Sequence, residues 1–113
     1  MNAPIEVPSE FLNIRQQEGI SLESEGSCDL AFTPEVALRA IRALTGSQTG
    51  ILGGEVWRLN DDGRFVQTYD IWDVERSDYK RADEFLQQSW DLAERQVNRY
   101  INLKDKFFIV LNF

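Results

Sequence analysis

The sequence contains no histidine. The usual general base near neutral pH, which is also the commonest transition-metal ligand, is therefore missing. Ser-His and Cys-His nucleophile pairs are excluded, and so are zinc sites of the Cys/His type. A single cysteine, Cys28, excludes an internal disulfide and fits a reducing compartment. No base or helix start beside it argues for an activated thiol. No run of ~18 apolar residues is present, so no membrane span is expected. The N-terminus lacks a basic region followed by an apolar stretch, so no secretory leader is expected and cytoplasmic residence is the default. The spacings Gly-x-x-x-x-Gly-Lys and Gly-x-Gly-x-x-Gly are absent, which argues against a phosphate-cradling loop. No metal and no cofactor are expected.

Positive charge is also scarce. Nineteen acids stand against twelve bases, for a net charge of −7. Residues 1–30 hold six acids and one base, net −5, and residues 55–78 hold seven acids and three bases, net −4. Residues 31–54 and 79–113 each come to +1. No basic patch is available for DNA or RNA phosphates, so direct nucleic-acid binding is disfavoured. A basic protein partner is favoured by long-range steering.

At 113 residues the chain fits one domain, 1–113, with one modest core. Residues 1–32 read as an irregular N-terminal segment. Pro4 and Pro8 oppose early regular structure, and Ser9 suits the cap of a short helix through Phe11, Leu12 and Ile14 that ends before Gly19. Ile20, Leu22, Leu30 and Phe32 are scattered anchors around a polar loop at 23–27. Thr33-Pro34-Glu35 is a helix start, with a capping hydroxyl, a proline at the first helical position and an acid at the positive end of the dipole. Ala37, Leu38, Ile41 and Leu44 then recur at helical spacing up to Gly46, predicting a helix over 34–45.

Ile51 to Trp72 reads as a β-hairpin, with strands at about 51–59 and 64–71 and a tip at Asn60-Asp61-Asp62-Gly63. The tip resembles the start of a calcium loop but lacks the alternating acids and terminal Glu, so it is a turn. Gly53 and Gly54 predict a bulge or a close approach, and close helix packing is the preferred cause. Leu86, Trp90, Ala93, Val97 and Ile101 form one apolar stripe, predicting a helix over 79–102 of roughly 36 Å, capped by Ser77 or Asp78, with an Asp91–Arg95 pair on its surface. The apolar run 107–113 reads as a strand covered on both faces. The expected fold is α+β: a three-stranded, mainly antiparallel sheet of order 2-1-3, first hairpin strand central, packed with two or three helices.

The hairpin gathers the candidate site: Glu55, Trp57, Asp61, Asp62, Tyr69, Asp70, Trp72 and Asp73. Acids and aromatics at this density suit a protein contact surface. The plainer reading is a solvated acidic face with one or two of the rings in the core. A carboxylate couple, Glu55 with Asp70, would suit a small acid/base hydrolase, but no nucleophile or metal motif supports catalysis. The remaining alternative is a non-enzymatic adaptor or subunit binding another protein.

Phe32-Thr33 with the helix after it, then Ile51-Leu-Gly-Gly-Glu-Val-Trp57, resemble the pattern of a bacterial polymorphic-toxin immunity family, immunity protein 40. Thr68-Tyr-Asp-Ile-Trp72, Ser89, Tyr100-Ile101 and the closing Phe108-Ile-Val-Leu111 strand are similar too, so the resemblance covers about 32–113. Ile71 stands where the family pattern has asparagine, and Glu55 where aspartate is commoner. The resemblance implies a non-enzymatic protein whose partner is a cognate toxin, with nucleases among the candidate toxins.

Overall fold

The computed structural model describes residues 7–113, so the expectation about Pro4 lies outside the described residues. The chain is α+β, with helices α1 (Ser9–Glu18), α2 (Pro34–Leu44) and α3 (Ala82–Asn98). Strands β1 (Ile20–Ser21) and β2 (Leu30–Ala31) form a small antiparallel pair. Strands β3 (Gly53–Leu59), β4 (Phe65–Asp73) and β5 (Phe107–Asn112) form an antiparallel sheet of order β4-β3-β5. The first hairpin strand is thus central, as expected, but a single sheet is not the whole architecture.

The N-terminal segment is more regular than its composition suggests. Pro8, not Ser9, occupies the cap of α1, because its backbone already holds the extended geometry a cap requires. Phe11 and Ile14 bury one side of the helix. The polar loop expected at 23–27 contains a tight turn at Glu23–Glu25, closed by Gly26 at φ +80°. That turn lets β1 and β2 pair, Ile20 against Ala31 and Ser21 against Leu30.

Helix α2 begins as its sequence dictates, with the Val36 N–H donating to Thr33 Oγ1 at 3.3 Å. Gly46 takes φ +86°, but inside a turn closed by Ser47 N–H donating to Leu44 O, with Thr45 extended between them. Helix α3 has 17 residues, about 25 Å, not the expected 36 Å. At its start Ser77 and Asp78 lie in a separate turn, Arg76–Asp78, and Arg81 stands at the cap position. At its end the N–H groups of Arg99, Tyr100 and Ile101 donate three residues back rather than four, and Asn102 turns left-handed at φ +66°. Asp91 accepts from Gln87 Nε2 at 3.0 Å, so the expected pair with Arg95 is replaced.

The main sheet is covered differently on its two faces. Toward the helices, Val56, Ile109 and Leu111 pack with Ile41 and Leu44 of α2 and Trp90, Ala93 and Val97 of α3. Toward the other side, Phe108 and Val110 pack under Leu22 and Ala31 of the small β1–β2 unit. This explains why β5 is apolar at successive positions.

Neither glycine of β3 meets a helix directly, although Gly54 shares the helix-side face with Val56. A side chain at Gly53 would strike the backbone of Trp72 and Asp73, and one at Gly54 would strike the Trp72 indole and the Val110 carbonyl. The glycine that does meet α3 is Gly50, against Phe85, Leu86 and Ser89. Ser89, fully buried, accepts from the Ile51 N–H at 3.1 Å and donates to Leu86 O at 2.7 Å. It thereby fixes the entry to β3 against α3.

Two stability changes are expected. Ser89→Ala strands the buried Ile51 N–H and should cost about 1–3 kcal/mol in urea unfolding. Gly54→Ala forces the Trp72 ring off the strand and should cost about 1–3 kcal/mol, read the same way. Loss of less than a few tenths of a kcal/mol in either would contradict the packing described.

Candidate functional site

The β3–β4 register generates the site. Leu59 pairs with Phe65, Arg58 with Val66 and Trp57 with Gln67, but Glu55 pairs with Ile71. Thr68, Tyr69 and Asp70 therefore stand opposite Val56 alone, a bulge on β4. Thr68 holds it closed: its hydroxyl donates to Val56 O at 2.8 Å and accepts from the Asp70 N–H at 3.2 Å. Tyr69 takes φ +64° at the apex, a sparsely populated region for an aromatic residue, and its side chain is 84% exposed.

The bulge divides the expected contact residues. Glu55 and Trp57 lie on the face away from the helices, with Ile71 and Gln67 beside them on β4. Glu55 Oε1 accepts from Trp57 Nε1 at 3.1 Å and Oε2 from Gln67 Nε2 at 3.2 Å. Asp73, exposed, ends β4 opposite Gly53. Asp61 and Asp62 are exposed at the hairpin tip, roughly 20 Å along the strand from Glu55. The tip is closed by Gly63 N–H donating to Asn60 O and Asn60 N–H to Arg64 O, with Gly63 at φ +83°. Asp62 Oδ1 accepts from the Arg64 N–H, while the Arg64 guanidinium reaches Glu25 at 3.1 Å. That pair ties the tip to the β1–β2 unit and engages the Arg64 guanidinium with Glu25 rather than with Asp61 or Asp62.

Asp70 and Trp72 are turned the other way. Trp72 lies over Gly54 and packs against the helix-side core, its Nε1 buried without a hydrogen-bond partner. Asp70 accepts a hydrogen bond from the Tyr100 hydroxyl, just past the end of α3, and lies 3.8 Å from Arg99. Of the eight expected contact residues, these two are therefore turned away from Glu55 and Trp57. Glu55 and Asp70 are on opposite faces of the sheet and cannot form the couple a small acid/base hydrolase would need. Among the described residues, no group of three or more Cys, Asp or Glu could hold a metal ion, and no helix is long and apolar enough to cross a membrane.

Two contributors escape a sequence reading. Ile71 is 67% exposed on the open face, although its alternation with Gln67 does place it there. Tyr100 reads as one more apolar residue widening a helical stripe, yet its ring packs on Phe107 while its hydroxyl reaches Asp70.

Burial, and after it the Asp70 hydrogen bond and charge, push the Tyr100 phenol up to about 12, with Arg99 opposing. The folded state thus holds this proton more tightly than the unfolded chain, where a phenol ionises near ~10. The resulting stabilisation is full below that pH and is lost as pH rises through about 12. Tyr100→Phe should remove this part of the alkaline loss of stability, followed by urea unfolding at fixed pH, and should abolish the latest phenolate absorbance step. An unaltered alkaline profile would mean that Tyr100 is not held in this buried, hydrogen-bonded setting.

No curated protein and no solved structure matches the chain. The family model described as immunity protein 40 matches residues 21–113, from the end of β1 through β5, and so reaches past Phe32 into the β1–β2 unit. Spanning most of the chain and every strand of the main sheet, that match shows that this protein belongs to the immunity protein 40 family.

Proposed function

We propose that this chain binds a cognate toxin domain stoichiometrically and neutralises it in the cytoplasm of the bacterial cell that makes both, as in contact-dependent inhibition. The acidic, aromatic hairpin surface occludes a basic site on the toxin, such as the cleft of a nuclease. The observation that carries this reading is the hairpin itself. Seven acids against three bases lie between residues 55 and 78, and of the three arginines Arg64 is held by Glu25. Exposed Tyr69 and Ile71 stand among them. Fixed negative charge steers a cationic partner into encounter, and rings and aliphatic side chains then slow its release. The chain acts as a non-enzymatic binder and folds as one domain over 1–113.

Co-expression with the toxin domain encoded beside this chain's gene tests the reading. Growth is rescued and the two proteins co-purify, whereas a toxin that kills equally in the presence of this chain rules it out. Asp61→Lys with Asp62→Lys should slow association about tenfold at low salt, with little effect on thermal unfolding. Stopped-flow mixing at two ionic strengths measures this, and an unchanged association rate removes the hairpin tip from the encounter surface.

A further inference from the structure

Among the described residues Asp29, Asp62, Asp91 and Glu55 accept hydrogen bonds only from neutral donors and join no ion pair, and of these Glu55 alone is half-buried. Glu18, Glu25, Asp70, Asp83 and Glu94 each lie within 4 Å of an arginine, at 2.7, 3.1, 3.8, 2.8 and 3.9 Å respectively. Glu55 is in none of the ion pairs among the described residues, and its two hydrogen bonds come from neutral donors, the Trp57 indole and the Gln67 amide. Its neighbours across the sheet are Val110 on β5 and Ile71 on β4, so the sheet offers it no cation. It is half-buried at the centre of a rigid strand.

A carboxylate has about four acceptor sites, two on each oxygen. Each oxygen of Glu55 uses one on its internal donor, so one per oxygen remains. Two parallel acceptors on one carboxylate match the fork of a guanidinium, whereas an ammonium would meet them as a point charge. The surroundings suit the same group. Ile71, largely exposed and paired with Glu55 across the strands, offers apolar surface for an arginine stem, and Trp57 brings an aromatic ring to hydrogen-bond distance of the carboxylate. The β1–β2 unit covers the β5 side of this face, with Leu22 and Ala31 over Phe108 and Val110. Trp57, Leu59 and Phe65 pack against the same cluster, so approach to Glu55 is from the Ile71 side of β4.

We infer that Glu55, flanked by Trp57 and Ile71, is the socket for an arginine side chain presented by the cognate toxin. This rests on the toxin-binding reading and names the anchor within it. The partner's cation completes a charge that the fold fixes in place but leaves unpaired. The acid excess of the surrounding hairpin favours a cationic visitor over any other.

The probe is the purified, catalytically inactivated toxin domain encoded beside this chain's gene, titrated by calorimetry. Glu55→Gln keeps an acceptor for the Trp57 indole while removing the charge, and should raise Kd about tenfold or more. Ile71→Ser, at an exposed position that cannot unsettle the core, should raise it several-fold. Glu55→Lys should abolish binding, and reversal of the matching arginine in the toxin to glutamate should restore it. Thermal unfolding and the Trp57 indole N–H resonance report whether the site is intact in each variant. Affinity within about twofold of wild type for Glu55→Gln or for Ile71→Ser overturns the inference and leaves toxin binding standing. A wild-type chain that forms a dimer dispersed by Glu55→Gln, with toxin affinity unchanged, also overturns it, because the arginine then comes from a second copy. Failure of the wild-type chain to bind the toxin domain overturns the toxin-binding reading and this inference together.

Discussion

The indole of Trp72 resting on Gly54 is the contact around which the hairpin is built. Any side chain at Gly54 would occupy the space of that ring, and any at Gly53 would meet the backbone that carries it. With both positions bare, β4 lies close on β3 and its tryptophan reaches the helix-side core. The ring then joins Val56, Ile109 and Leu111 in a layer that α2 and α3 can cover. Ser89 completes the arrangement by fixing Ile51, so the central strand is held at its entry by a helix and along its length by a neighbouring ring.

The same constraint decides which residues are left outward on the other face. With Trp72 turned inward, alternation along β4 sends Ile71 to the open face. Asp70 follows Trp72 inward and becomes the attachment point for Tyr100, coupling the hairpin to the end of α3. What remains outward is Glu55, its two neutral donors and the exposed side chains around them. The site is therefore a remainder of the folding solution, and the rigidity of its carboxylate follows from the sheet beneath it.

Some of this was legible in the residues. Thr33-Pro34-Glu35 fixes the start of α2 by local chemistry, and the stripe through Trp90 fixes the buried side of α3, because both signals are complete within one or two turns. The apolar run at the end of the chain correctly implies cover on both faces, and the hairpin with its Gly63 tip is local as well. The β1–β2 pair was not legible, since two-residue strands carry no alternation. Nor was the partner of Gly54, a tryptophan distant in sequence that periodicity cannot connect to it. The bulge depends on a threonine hydroxyl taking the place of a ladder bond, which composition does not announce. The ends of α3 were overrun because apolar residues continue past the point where Asn102 reverses the backbone. For the site, residue types were readable, but which side of the sheet each one faces required the register.

The bulge has a further effect on β4 as an unpaired border. β4 has β3 on one side and no strand on the other among the described residues. An unbroken border of that length would be a template on which further copies could stack without limit. Thr68, Tyr69 and Asp70 cut it into two short runs, 65–67 and 71–73, so no long unbroken template remains. Tyr69 and Ile71 thus stand exposed on a border that the bulge makes a poor template for further copies.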